Sequence, residues 1–341
     1  MKAAQLDKYN GKLQIREVPE PEISGPQDVI VRIGGAGLCR TDLHIIEGIW
    51  KEKVDIELPY TLGHENAGWV EEVGNTVTTV KPGDPVIVHP VVTDGTCRAC
   101  RRGEDMYCEN LAFPGITRNG GFAEYLLTSE RALIKLPKGV EPRDIAPHAD
   151  AGITAYRVVR KAVPRLHPGT YTVIQGVGGL GHIGLQVLRH LSPTQIIAVD
   201  MSEEALKLAK QLGADHTVNA RKKPVKAIMD LTDGVGVDVV IDFVAEGGAI
   251  QPALDMLRRG GTYYVVGYGG TLNLPTIDII FREISIVGSL VGNYEELAEL
   301  MTLAAQGKVT LHAQVYALDD INKAIKDLEH GRIRGRGVLI P

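Results

Sequence analysis

Residues Thr172 to Leu188 read T-V-I-Q-G-V-G-G-L-G-H-I-G-L-Q-V-L, an apolar strand, a glycine turn and then a helix. The turn spells G-x-G-x-x-G through Gly176, Gly178 and Gly181, with Gly179 and Leu180 completing it. The first glycine permits the tight turn, the second lets a pyrophosphate approach the backbone, and the third packs helix on strand. The phosphates then lie at the helix N-terminus, where unpaired N–H groups point at them. This motif is weak alone and gains weight from its context. I-I-A-V-D follows and ends in Asp200, about 20 residues on, where an acid meets the ribose 2′-hydroxyls. Asp200 would repel a 2′-phosphate, and Met201 rather than arginine comes next, which argues for NAD over NADP.

Downstream the alternation continues. E-E-A-L-K-L-A-K-Q-L-G and A-I-Q-P-A-L-D-M-L read as helices, between apolar strands starting at Val237, Thr262 and Ile284. Apolar strands alternating with helices indicate a doubly wound parallel sheet covered on both faces.

Upstream the texture is different. Short runs beginning at Leu13, Asp28, Ala67, Asp84 and Gly120 read as strands punctuated by turns, so the first 150 or so residues form a mainly β domain. A-P-H-A-D-A-G-I-T-A-Y-R-V-V, from Ala146, then turns helical with Asp150 at its start, either as a cap or as a metal ligand. The tail is expected to return to the first domain. The expected division is 1–151 with 292–341, and 152–291 inserted between them.

The β domain carries the chemistry. C-R-T-D-L-H runs from Cys39 to His44, and G-H-E from Gly63 to Glu65. Gly34, Gly35 and Gly37 deliver the chain tightly to Cys39, as close backbone approach to a metal would require. Thiolate and imidazole suit tetrahedral Zn²⁺, whose catalytic form takes three protein ligands and leaves one position open. Cys39 and His64 would be two of the three. Thr41 and His44 place a hydroxyl and an imidazole in one short segment, able to relay a proton to solvent. Further on, Asp94, Cys97, Cys100 and Cys108 spell D-x2-C-x2-C-x7-C, three thiolates and a carboxylate that can close a structural zinc shell. A redox C-x-x-C pair fits poorly, because it would leave Cys108 unexplained.

At 341 residues, with 44% hydrophobic and 23% charged residues, the chain has the make-up of a globular protein of about two domains. A net charge of −5 offers no basic field for nucleic acid or an anionic membrane. No signal-like or membrane-length apolar run is present, and a cytoplasmic location is the expectation. Four cysteines clustered in the first third suit metal binding in a reducing compartment.

Taken together, C-R-T-D-L-H, G-H-E-N-A-G, the cysteine lobe, G-V-G-G-L-G and the closing G-R-G-V-L resemble the medium-chain, zinc-dependent alcohol dehydrogenases across essentially the whole chain. The resemblance implies an α/β chain, with a mainly β GroES-like catalytic domain joined to a Rossmann domain. It also implies one catalytic and one structural zinc, NAD, and a homo-oligomer, dimer or tetramer. It makes Asp150 the third catalytic-zinc ligand, where many relatives have cysteine, and Glu65 the glutamate beside the metal. Asp42 becomes the carboxylate that orients His64, and Arg40 and Arg336 meet the cofactor pyrophosphate. The implied reaction is reversible hydride transfer between an alcohol and NAD. Trp50, Val91, Phe113 and Tyr268 are, by position, candidate pocket walls; being mostly apolar, they favour an alkyl or aryl alcohol. The rivals are a polyol or formaldehyde dehydrogenase of the same family and a zinc-free quinone reductase relative. A non-enzymatic nucleotide binder would waste the Thr41–His44 pair.

Overall fold

A computed structural model describes residues 1–54 and 56–341, which divide into two compact units. One comprises Met1–Ile153, Gly292–Gly307 and Leu311–Pro341; the other comprises Thr154–Val291 and Lys308–Thr310.

The second unit is built on six parallel strands: Tyr171–Gln175, Gln195–Asp200, His216–Asn219, Val237–Asp242, Leu257–Val265 and Ser285–Gly288. Numbered within this sheet, they lie in the order 3-2-1-4-5-6, the doubly wound nucleotide-binding arrangement. The central strands have no polar face because both faces are covered. Val173, Ile174, Ile197, Val240 and Ile241 are all fully buried. Helix Gly181–Leu191 follows the first strand directly, and helix Glu203–Gln211 starts where the Ser202 hydroxyl accepts from the Ala205 N–H at 3.3 Å.

In the first unit, a sheet runs Ala313–Ala317, Arg336–Ile340, Asp28–Leu38, Glu65–Val73, Pro85–Val88 and Leu133–Lys135, with Tyr125–Ser129 also paired to Asp28–Leu38. A second sheet joins Gln14–Glu17, Lys2–Leu6 and Tyr60–Thr61. The C-terminal strands therefore sit in the N-terminal sheet, Val338 opposite Gly37.

Three boundaries differ from the sequence reading. The strand read from Gly120 begins at Tyr125, because Gly121 and Phe122 are tied by main-chain bonds to Gly63 and Leu62 instead of entering the ladder. The helix read from Ala146 begins at Ala151 after a 3₁₀ turn over Ala146–Ala149, where Pro147 has no N–H to give. The strand read from Asp28 continues to Leu38, so the glycines that lead to Cys39 are themselves extended.

Candidate active site

The long strand Asp28–Leu38 leads straight into Cys39, which caps helix Arg40–Ile46. The Asp42 carboxylate, three residues on, accepts from the Cys39 N–H at 2.8 Å and so fixes the thiol at the strand–helix junction. The neighbouring strand begins at Glu65, opposite Gly37, and brings His64 beside that junction. A Cβ on Gly37 would fall on the Glu65 carboxylate, so only glycine allows this approach. Asp150, between the 3₁₀ turn and helix Ala151–Ala162, completes the group. One ligand atom from each of Cys39, His64, Glu65 and Asp150 lies within 4.8 Å of all the others.

Charge explains what the group wants. His64 is 1% exposed, with Nδ1 3.3 Å from Asp42 and Nε2 3.4 Å from Asp150, and neither nitrogen completes a hydrogen bond. Burial works against a charged imidazole here, yet the Asp42 and Asp150 carboxylates outweigh it and hold its pKa well above the usual histidine range. A thiol and several carboxylates gathered round one buried imidazole suit a cation. With Asp42 at Nδ1, the other nitrogen faces Asp150 as a ligand would. The donor set of sulfur, imidazole and carboxylate fits Zn²⁺.

Glu65 is held from two sides. Oε1 accepts from the Ala151 N–H at 3.0 Å, and Oε2 from the Arg336 guanidinium, which is 4% exposed. Burial disfavours the charge on Arg336, and the neighbouring Glu65 and Cys39 side chains more than restore it. Arg336, assigned by the family resemblance to the cofactor pyrophosphate, is buried and bonded to Glu65. No local pattern signals a pair 271 residues apart.

Thr41 and His44 stand three apart on the helix, on one face and half-buried, while Arg40 is exposed. The Phe113 ring meets His64 edge-on, with centroids 6.0 Å apart. Val91 is buried, and Trp50 is half-buried against the core of the first unit, whereas Tyr268 belongs to the second unit and is 45% exposed. A cavity of about 710 Å³ in the first unit, lined by Gln5, Thr61, Arg118 and Tyr125 among others, includes none of these four.

The cysteine lobe also assembles. Single ligand atoms of Asp94, Cys97, Cys100 and Cys108 lie within 4.8 Å of one another, with the Cys97 and Cys100 sulfurs 3.5 Å apart. Asp94 is aimed by its neighbours: Oδ1 accepts from the Thr96 and Cys97 N–H groups at 2.7 and 3.0 Å, and Oδ2 from Asn110 at 2.7 Å. These bonds hold its carboxyl far below the usual range. Burial, reinforced by Cys108 and Cys97, pushes the Cys100 thiol up to about 12. Three thiolates this close need a cation among them, and the set fits a closed zinc shell.

At the glycine turn, a Cβ on Gly181 would lie 1.8 Å from the Gly176 carbonyl oxygen, whereas one on Gly178 would meet nothing within 4 Å. Gly178 therefore answers to no packing need of the protein, as expected where a pyrophosphate comes close. Asp200 is anchored here, accepting from the Val177 N–H at 2.7 Å and the Ser202 N–H at 2.8 Å.

A doubly wound sheet with this glycine turn, joined in one chain to a buried Cys/His/carboxylate group, defines a metal-dependent oxidoreductase. Residues 179–306 match the zinc-binding dehydrogenase family, and residues 25–138 match the alcohol dehydrogenase GroES-like domain. The chain is 38% identical to a D-arabinose 1-dehydrogenase (NADP(+)) of Saccharolobus solfataricus, covering 100% of this chain and 97% of that one. It is 37% identical to an NAD-dependent alcohol dehydrogenase of Sulfurisphaera tokodaii, over 100% of both. The crystal structure of the alcohol dehydrogenase from Aeropyrum pernix superposes with a TM-score of 0.97 at 55% identity, covering 100% of both chains. The chain belongs to the medium-chain zinc-dependent alcohol dehydrogenase family.

Proposed function

We propose that this alcohol dehydrogenase oxidises alkyl or aryl alcohols, primary or secondary, with NAD, and reduces the matching aldehydes and ketones. The observation that carries the reading is the Cys39–His64–Glu65–Asp150 group, whose ligand atoms lie within 4.8 Å of one another. Residues 1–151 with 292–341 form the catalytic domain in this reading, and 152–291 the NAD-binding one.

Zinc, when bound, supplies the Lewis acid that lowers an alcohol's pKa, and NAD the hydride acceptor. Cys39, His64 and Asp150 hold the metal, while Asp42 fixes the His64 tautomer. Glu65 stays beside them, braced by Arg336 and the Ala151 N–H. The Thr41 hydroxyl and then His44 carry the alcohol proton outward. Gly176, Gly178, Gly179, Leu180 and Gly181 bind the pyrophosphate, with Arg40 and Arg336 as its cationic partners, and Asp200 binds the ribose. Trp50, Val91, Phe113 and Tyr268 are the apolar walls, which favours simple alcohols over polyols.

Metal analysis paired with a substrate panel in NAD and NADP tests this reading. Two zinc per chain and turnover of simple secondary or aromatic alcohols are expected. Better turnover of polyols, formaldehyde or D-arabinose would move the assignment, the last because a 38% identical relative carries that name. Asp200→Gly should shift the NAD/NADP preference about tenfold or more toward NADP, since a charged partner of the ribose hydroxyls is lost and a repulsion relieved. An unchanged ratio of kcat/KM values would place the discriminating acid elsewhere.

A homo-oligomer, dimer or tetramer, is also proposed. Support comes from Ile277, Ile280, Phe281 and Leu290, each more than half exposed around the edge strand Ser285–Gly288. No helix among the described residues is long and apolar enough to cross a membrane, and a cytoplasmic location is proposed from the clustered, unbridged cysteines.

A further inference from the structure

Asp242 is a buried acid that the chemistry above leaves unused. It ends strand Val237–Asp242, in register with Gln175 of the first strand, and it is 0% exposed. Both oxygens are fully engaged. Oδ1 accepts from the Val244 and Ala245 N–H groups at 2.7 and 2.9 Å; Oδ2 accepts from the Tyr263 hydroxyl at 2.7 Å and the Gln175 amide at 2.8 Å. Three of these four are N–H donors with no lone pair to offer at the contact, so both oxygens of Asp242 must act as acceptors there. The same Gln175 nitrogen also donates to the Ala249 carbonyl at 3.1 Å.

The segment held this way is unusual. Ala245 sits at φ +46°, a left-handed conformation disfavoured for a residue with a Cβ. Val244 leans on the glycine turn: a Cβ on Gly176 would come within 2.5 Å of Val244 Cγ2. In a sheet ordered 3-2-1-4-5-6, the carboxyl ends of the first and fourth strands flank the switch point where a dinucleotide lies. Gln175 and Asp242 are the last residues of those two strands.

We propose that Asp242 is a positioning residue for the dinucleotide, its carboxylate holding the strained Val244–Ala245 turn, and through Gln175 the Ala249 carbonyl, as the crevice wall facing the glycine turn. The proposal rests on reading this unit as the NAD-binding one. Asp242→Asn keeps the shape and turns one acceptor into a donor. If the new amide NH₂ faces the turn, it opposes two N–H groups. If it faces Gln175, that amide must turn and set its oxygen against the Ala249 carbonyl. Either way the wall loosens.

NADH fluorescence titration of the zinc-loaded full chain tests this. Asp242→Asn should weaken NADH about tenfold, the scale of one lost charge-assisted hydrogen bond, with KM for NAD rising in step and kcat at saturating NAD falling far less. Tyr263→Phe removes a donor without touching the turn, so it should lower the melting temperature and leave NADH affinity unchanged. If Asp242→Asn does not fold, Gln175→Met decides, with weaker NADH binding expected. The proposal is overturned if the folded variant binds NADH as the parent does, or if Tyr263→Phe weakens binding as much. A parent chain that fails to bind NADH would overturn the dehydrogenase reading along with it; normal binding in both parent and Asp242→Asn overturns the positioning role alone.

Discussion

His64→Ala should abolish alcohol oxidation, lowering kcat/KM by on the order of a thousandfold or more, because a ligated Lewis acid supplies several kcal/mol of transition-state stabilisation. The zinc content should fall by one equivalent per chain. NADH affinity should stay within about threefold of the parent, since the glycine turn and Asp200 are set by other contacts. A cost in stability comes with it. Asp42 is fully buried and faces the imidazole at 3.3 Å, so the variant leaves a carboxylate oxygen without its partner. Breaking a buried pair from one side costs about 3–5 kcal/mol. Cys39→Ala avoids this penalty, because the Asp42 bond to the Cys39 main chain survives it. If the metal reading holds, both variants lose turnover and only His64→Ala loses much stability. Undiminished turnover in either variant would remove that residue from the site.

Local patterns were legible in the sequence, and distant partnerships were not. The glycine turn, Asp200 and the D-x2-C-x2-C-x7-C lobe each lie within a short stretch, where spacing fixes geometry. The structure brings one ligand atom of each lobe residue within 4.8 Å of the others. Asp150 shows the opposite case. On its residues alone it could be a cap or a ligand; the family resemblance made it a ligand, and its place beside His64, 3.4 Å away, is a contact no local spacing shows. The bond between Arg336 and Glu65 was hidden for the same reason, since the two are distant in the chain and meet only through sheet pairing. Asp242 did leave a trace, as an acid closing the apolar run V-D-V-V-I-D, but the trace says nothing about which donors surround it.

Cys100→Ala separates the second cluster from the first. The Cys100 sulfur is buried, 3.5 Å from that of Cys97, and its pKa is pushed up to about 12, so the lobe cannot hold its anions close without a cation. Binding of that cation is then folding free energy. The lobe also braces a distant element of the same unit. Between Cys100 and Cys108, the Gly103 carbonyl accepts from Asn293 Nδ2 at 2.8 Å, and Asp105 accepts from the Tyr294 N–H at 2.9 Å. Both bonds secure the first turn of helix Tyr294–Ala305, whose own cap is Asn293. Losing the metal should therefore loosen that helix as well as the lobe. A loss of about 4 kcal/mol corresponds to a fall in melting temperature on the order of 10 °C for a unit of this size. Turnover measured well below the new melting point should stay within about threefold of the parent, because no lobe residue belongs to the Cys39 group. Chelation that strips only the lobe metal should bring the parent to the same melting temperature. If turnover collapses while melting stays put, the lobe is part of the catalytic apparatus and the division between the two metal clusters is wrong.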